Sequence, residues 1–196
     1  MCGGRGTRLR PEIEGEKPLL TVGGRPMIAH VLSALRESRI ETMYAAVSPA
    51  TPETAAFLET AENIHVIETA GEGYVADLGA ALGVVESPVV TVTADLSLLA
   101  ADHVDRLITE YRGHSLSVCV PLSVAEGVLE CVETTLDAEG TTVVPTGLNV
   151  VGESDGQQAD GESDSRRLVW DDRRLALNVN RPADRRRADR WLSDST

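Results

Sequence analysis

Lysine is almost missing from this chain: Lys17 is the only one in 196 residues, against seventeen arginines. Aromatic residues are nearly as scarce, at 3% with a single phenylalanine. Positive charge is short overall, with eighteen basic residues facing thirty-one acidic ones for a net charge of −13. That balance excludes an ordinary nucleic-acid binder, because neutralising phosphates takes a basic surface. Cys2, Cys119 and Cys131 are an odd number without CxxC spacing, which argues against both a disulfide framework and a zinc site. No apolar run approaches the roughly 18 residues of a membrane span, and no charged and apolar leader precedes the first motif. The cytoplasm is therefore the expected compartment. Acid-rich, lysine-poor and aromatic-poor composition fits a high-salt cytosol, where carboxylates keep the surface hydrated and salt screens their mutual repulsion.

What the chain does contain is enough apolar residue, 42%, to fill one core, and its length suits a single domain spanning 1–196. Met27, Ile28, Val31, Leu32 and Leu35 recur at helical spacing after Pro26. MYAAVS (43–48), IHVIE (64–68), PVVTVTA (88–94) and SLSVCVPL (115–122) read as buried strands. Helices are predicted between them over 52–62, 74–86 and 101–113. Such alternation implies right-handed crossovers and a three-layer α/β fold, with a mostly parallel central sheet covered by helices on both faces. The later segments 141–151, 166–171 and 175–180 read as shorter strands, and 182–194 as a closing helix. GESDGQQADGESDS (152–165) has no apolar side chain larger than alanine, so it is expected to be a mobile acidic loop.

Charge is partitioned along the chain. Residues 113–165 hold ten acids and no lysine or arginine, whereas residues 1–27 hold five basic residues against three acids. The cationic end carries GGRGTRL (3–9). Its glycines let backbone N–H groups approach an anion, Thr7 offers a hydroxyl, and Arg5 and Arg8 offer guanidinium forks, although glycine clusters also make plain turns. Eight residues on comes Lys17-Pro18. An ammonium is a compact point charge and a guanidinium a wide planar fork, so one lysine kept among arginines points to a tight site beside a phosphate. Asp95, in TVTADLSLL (91–99), falls at the carboxyl end of a buried strand, where open α/β sheets bind ligands. Its type and place suit Mg²⁺ ligation as well as a helix cap or turn.

GGRGTRL, EKPLL and TADLSLL together resemble the nucleotidyltransferase superfamily, which includes the sugar-phosphate nucleotidylyltransferases and the molybdenum-cofactor guanylyltransferases. VSPATPET (47–54), TAGEGYVADL (69–78), VPTGLNVV (144–151) and LALNVN (175–180) further resemble the archaeal GTP:adenosylcobinamide-phosphate guanylyltransferases of cobalamin biosynthesis. The likeness runs in order from residue 1 to about 185. It implies a Rossmann-like nucleotidyltransferase fold, GTP and adenosylcobinamide phosphate as substrates, Mg²⁺ as cofactor and, given the composition, a halophilic archaeal source. Gly3, Gly4, Arg5, Gly6, Thr7 and Arg8 would form the loop over the GTP phosphates, with Arg8 and Lys17 catalytic and Lys17 near the α-phosphate. Asp95 would bind the metal, Gly147 would line the site, and Asn178 and Asn180 would lie near metal and phosphates. Segments 48–54 and 69–74 are expected near the base. A homodimer is compatible with the sequence; another acceptor of the same superfamily, or a non-catalytic GTP-binding module, are the competing readings. The chain departs from the family pattern in the acidic stretch 152–165 and at its start, where the first buried strand is expected to be truncated to Met1 and Cys2, with translation beginning upstream.

Overall fold

In a computed structural model, residues 1–3, 15–152 and 166–194 are described. The acidic segment apart from Gly152 lies outside them, as does most of the glycine-rich loop. A 3-10 turn at Lys17–Leu19 leads into a hairpin of β1 (Thr21–Val22) and β2 (Arg25–Pro26). Gly23 and Gly24 make its two-residue turn at φ +57° and +77°, a turn whose twist matches antiparallel strands and whose positive φ values suit glycine. Helix α1 (Met27–Glu37) follows at once and buries Met27, Ile28, Val31, Leu32 and Ala34, the stripe that its spacing predicts.

Strand β3 (Met43–Val47), helix α2 (Pro52–Glu59) and strand β4 (Ile64–Glu68) form a parallel crossover, with Met43 beside Ile64 and Val47 beside Glu68. Helix α3 (Tyr74–Leu82), strand β5 (Val89–Val92), helix α4 (Ala101–Glu110) and strand β6 (Leu116–Pro121) continue the alternation. Helix α3 is shorter than its sequence pattern suggests and stops at Gly83. A short helix α5 (Leu122–Glu126) and strand β7 (Leu136–Ala138) come next, then the long β8 (Thr141–Val151), β9 (Arg166–Val169), α6 (Arg173–Ala176) and α7 (Pro182–Asp194).

Two expectations change here. The larger, five-stranded sheet runs β5-β8-β6-β9 with β7 added on β8, and β8 is antiparallel to β5, β6 and β7, so the architecture is mixed rather than mostly parallel. Alternation along β8, with Thr146, Leu148 and Val150 buried, marks a strand covered on one face, but a period of two reads alike in either direction. The second change is at 175–180. Arg173–Ala176 is a helical turn capped by Asp172, and 177–180 is irregular chain whose Val179 N–H donates to the Asp95 carbonyl at 3.0 Å. The alternation of Leu175, Leu177 and Val179 is real burial, but it serves a segment that crosses the strand ends instead of joining the sheet.

The main core joins α1, α4 and the larger sheet through Val31, Val104, Leu107, Val118, Leu148 and Leu168. Each such fully buried aliphatic side chain contributes about 1.5–3 kcal/mol. A second cluster packs Ile28 and Leu32 of α1 on Met43, Ala45, Val47 and Leu58. Between β3 and β5 lie Met1 and Cys2. The Met1 amine donates to the Val92 carbonyl at 2.9 Å, the Met1 carbonyl accepts from Ala94 at 3.2 Å, and the Cys2 N–H donates to the Ala46 carbonyl at 2.8 Å. These two residues thus sit where a strand would link the two sheets. Beyond them runs a groove of about 650 Å³ walled by Leu35, Tyr44, Leu78, Val84, Val90 and neighbouring side chains. No helix among the described residues is long and apolar enough to cross a membrane.

Candidate active site

The turns that leave the carboxyl ends of β4 and β5 face one cavity of about 450 Å³, within the range of small-molecule sites. Asp95 stands at the end of β5, in the turn before α4. Its Oδ2 accepts from the Lys17 ammonium at 2.6 Å, and its Oδ1 accepts from Asn178 Nδ2 at 3.2 Å. Burial disfavours the Asp95 carboxylate, yet the Lys17 charge and the hydrogen bonds the carboxylate accepts together outweigh it and hold the group below the usual carboxylate range. Lys17 also donates to Asn180 Oδ1 at 2.6 Å, so two of its three donors are engaged by oxygens. Only 16% of either the Lys17 or the Asp95 side chain is exposed, and in that setting the pair is poorly screened.

Each of these side chains is fixed by a neighbour. Glu16 spans from the residue before Lys17 to the first turn of α2, where its carboxylate accepts from the backbone N–H groups of Glu53 and Thr54, both at 2.7 Å, and from the Thr54 hydroxyl. It satisfies donors that a helix start leaves open and lies where the helix dipole favours an anion. Asn178 makes a second bond to the Thr146 carbonyl at 3.1 Å, tying the crossing segment to β8. Asp184 Oδ2 accepts from the backbone N–H groups of Asn180 and Arg181 at 3.2 and 2.8 Å, holding that turn at the start of α7.

The other wall of the cavity is the 69–74 turn. Gly71, Glu72, Gly73, Tyr74 and Asp77 line it with Gly3. Asp77 is buried, and its Oδ1 accepts from the Gly71 N–H at 2.9 Å. The Ser48 hydroxyl donates to the Gly3 carbonyl at 3.0 Å, so three turns meet beside the first glycine. Burial, and then the Asp95 charge, push the Tyr74 phenol upward, which keeps it a neutral hydrogen-bonding group at pH 7.

Of the residues singled out in the sequence, the structure brings Gly3, Lys17, Asp95, Asn178 and Asn180 to one place. Gly147 is close but differently employed. It lies at φ +83°, and a Cβ there would stand 2.5 Å from Thr93 Oγ1; its carbonyl accepts from the Thr93 N–H at 3.2 Å. It lets β8 pass hard against the end of β5, behind Asp95. Gly4, Arg5, Gly6, Thr7 and Arg8 lie outside the described residues. Of the two segments expected near the base, 71–74 lines the cavity and Ser48 of the other bonds Gly3 at its edge. Sequence reasoning missed Glu16, Asp77, Thr146 and Asp184. Glu16 beside the lone lysine and Asp184 near the start of α7 were visible as residue types, but their partners are distant in the chain or backbone groups. Among the described residues no three His, Cys, Asp or Glu side chains gather as a metal cluster.

Residues 1–146 match the MobA-like NTP transferase domain. The chain belongs to that family. As a MobA-like NTP transferase it is also 31% identical to the adenosylcobinamide-phosphate guanylyltransferase of Methanocaldococcus jannaschii, over 98% of this chain and 95% of that protein. Among solved structures, a nucleotidyl transferase from Methanothermobacter thermautotroptrophicus superposes with a TM-score of 0.72 at 14% identity, covering 100% of this chain and 96% of its own. A putative glucose-1-phosphate thymidylyltransferase from Bacillus anthracis gives 0.70 at 13% identity, covering 98% and 93%. At such identities these two structures establish the nucleotidyltransferase fold of the MobA-like chain and nothing finer.

Proposed function

We propose that the protein transfers GMP from GTP to adenosylcobinamide phosphate, giving adenosylcobinamide-GDP and pyrophosphate. The observation that carries this reading is the convergence of Lys17, Asp95, Asn178 and Asn180 in one bonded group, with Lys17 and Asp95 lining a cavity of small-molecule size. The near-full-length relative from Methanocaldococcus supplies the substrate pair. An acceptor phosphate oxygen bonds the α-phosphorus of GTP while the bond from that phosphorus to the bridging oxygen of the β-phosphate breaks. Catalysis of such a displacement is mostly positioning and charge neutralisation. Lys17 lines the cavity and would neutralise an α-phosphate oxygen there, and the 71–74 turn, which lines the same cavity, is assigned to the base. Glycines 4 and 6 with Arg5, Thr7 and Arg8 are assigned to the phosphates on the family resemblance.

The donor set fits Mg²⁺, a hard cation that is commonly held by one or two carboxylates plus substrate phosphates and water. Asp95 would be its carboxylate, and Asn180 Oδ1, which accepts from the same Lys17 ammonium, would be a neutral oxygen donor nearby; when bound, the ion would neutralise phosphate charge. Pyrophosphate release with GTP or ATP, each with and without adenosylcobinamide phosphate, tests the reading. Release is expected with GTP only when that acceptor is present. Equal release with ATP, or transfer to glucose 1-phosphate or molybdopterin in its place, overturns it.

A further inference from the structure

A second cavity, of about 230 Å³, opens behind the two asparagines, lined by Asn178 and Asn180 together with Cys131, Glu133, Pro145 and Arg181, among others. Since Asn178 and Asn180 bond Asp95 and Lys17 from this side, the two cavities adjoin at these four side chains. The cavity is smaller than the roughly 300–1,000 Å³ that whole small molecules occupy, so it suits one end of a ligand whose bulk stays outside. Among the described residues lining it, Arg181 is the one cation. Its guanidinium donates to Glu133 Oε1 at 3.0 Å, and the two side chains are 40% and 33% exposed. An ion pair so open to water holds weakly, whereas a guanidinium fork on a phosphate dianion is a stronger, two-pronged contact. The Arg181 backbone, in contrast, is clamped with that of Asn180 by Asp184. A fixed base and a loosely held head are what a residue needs to exchange one anion for another.

We infer that this cavity is the acceptor subsite and receives the phosphomonoester end of the second substrate, with Arg181 as the anchor that leaves Glu133 for the phosphate. The inference rests on the transfer reaction proposed above and adds where its acceptor enters: from the Asn178–Asn180 side, while the nucleotide fills the cavity lined by Lys17 and Gly71–Tyr74. Arg181 makes and breaks no covalent bond; it holds the acceptor phosphate next to the Lys17–Asp95 pair.

Two measurements test it. In steady-state pyrophosphate release, Arg181→Ala raises the acceptor KM about ten- to a hundredfold, the worth of a charge-assisted contact, with the GTP KM within about twofold of wild type. Glu133→Gln, which removes the competing anion, does not raise the acceptor KM, whereas a merely structural ion pair is damaged alike from either side. An unchanged acceptor KM in Arg181→Ala, or a parallel rise for GTP, overturns the assignment. The second measurement needs no turnover. Cys131 is exposed at this rim while Cys2 and Cys119 are buried, so N-ethylmaleimide labelling followed by mass spectrometry reports on the cavity directly. O-Phosphoethanolamine, as a short phosphomonoester probe, is expected to slow Cys131 labelling in wild type and not in Arg181→Ala. Protection without any transfer to adenosylcobinamide phosphate upholds the subsite and removes the proposed reaction. Normal transfer with no protection and no change in Arg181→Ala upholds the reaction and removes the subsite.

Discussion

Lys17 is held where an ammonium fits and a guanidinium does not. Its Nζ sits 2.6 Å from both Asp95 Oδ2 and Asn180 Oδ1, a pocket of two oxygens converging on one nitrogen. A planar fork spreads its charge and donors over a wider frame. Lys17→Arg therefore keeps the charge but displaces it, and turnover is expected to fall about a hundredfold, the cost of one misplaced electrostatic contact in a transition state. Single-turnover rates with saturating GTP check this, and a rate near wild type refutes the tight-site argument. Gly147 is constrained by space and by backbone angle together. A Cβ there meets Thr93 at 2.5 Å at φ +83°, so Gly147→Ala is expected to cost about 1–3 kcal/mol of stability through strain and overpacking. Thermal unfolding measures that loss, and an unshifted midpoint contradicts it.

Among the elements, α4 and α6 are joined by a buried histidine. His103 Nε2 donates to Asp172 Oδ2 at 3.0 Å, and its Nδ1 accepts from the Ala100 N–H at 3.1 Å. An Nδ1 that accepts carries no proton, so the ring is neutral, and burial accordingly pushes its pKa below the usual histidine value. The unfolded imidazole takes up a proton below about pH 6.5 while the folded one does not. Stability contributed here is therefore present at neutral pH and lost as pH falls. Burial opposes the Asp172 carboxylate, but its bonds to Arg174 and His103 prevail and hold it far below the usual range; its contribution is lost only as pH falls through about 4 and lower. Melting curves at pH 7, 6 and 5 should show a falling midpoint, and His103→Gln should flatten that decline. An identical slope in the variant removes the assignment. Helix α2 shows a different kind of dependence: its open first turn is capped by Glu16, from outside the helix, so the same carboxylate that starts α2 also fixes the residue before Lys17.

For the molecule as a whole, a net charge of −13 means self-repulsion that screening relieves. The unfolding midpoint is expected to rise from about 0.1 M to about 2 M KCl, as the Debye length falls from roughly 10 Å to a few ångströms. Circular dichroism melts across that range decide it, and a flat or falling midpoint overturns the high-salt reading of the composition. The elements from α1 to β6, the stripe on α1 and the closing helix α7 were legible in the chain because each rests on local periodicity and on the residues that begin helices, whereas the short β1–β2 hairpin was not. So were Lys17, Asp95, Asn178 and Asn180, because a lone lysine, an aspartate at a strand end and the order of the motifs survive as text. The direction of β8 and the course of 175–180 were not, since alternation records burial and does not record which neighbour a strand pairs with. Nor were the partners of Glu16, Asp77 and Asp184, which apart from the Thr54 hydroxyl are backbone N–H donors that look the same at every position. The sequence by itself thus determined the family and the chemical groups at the site, because those follow from residue type and order. Only the tertiary structure decided that Asn178 and Asn180 stand between two cavities, with Lys17 and Asp95 on one side and Arg181 on the other, because that arrangement comes from chain crossings between residues some 80 to 160 positions apart.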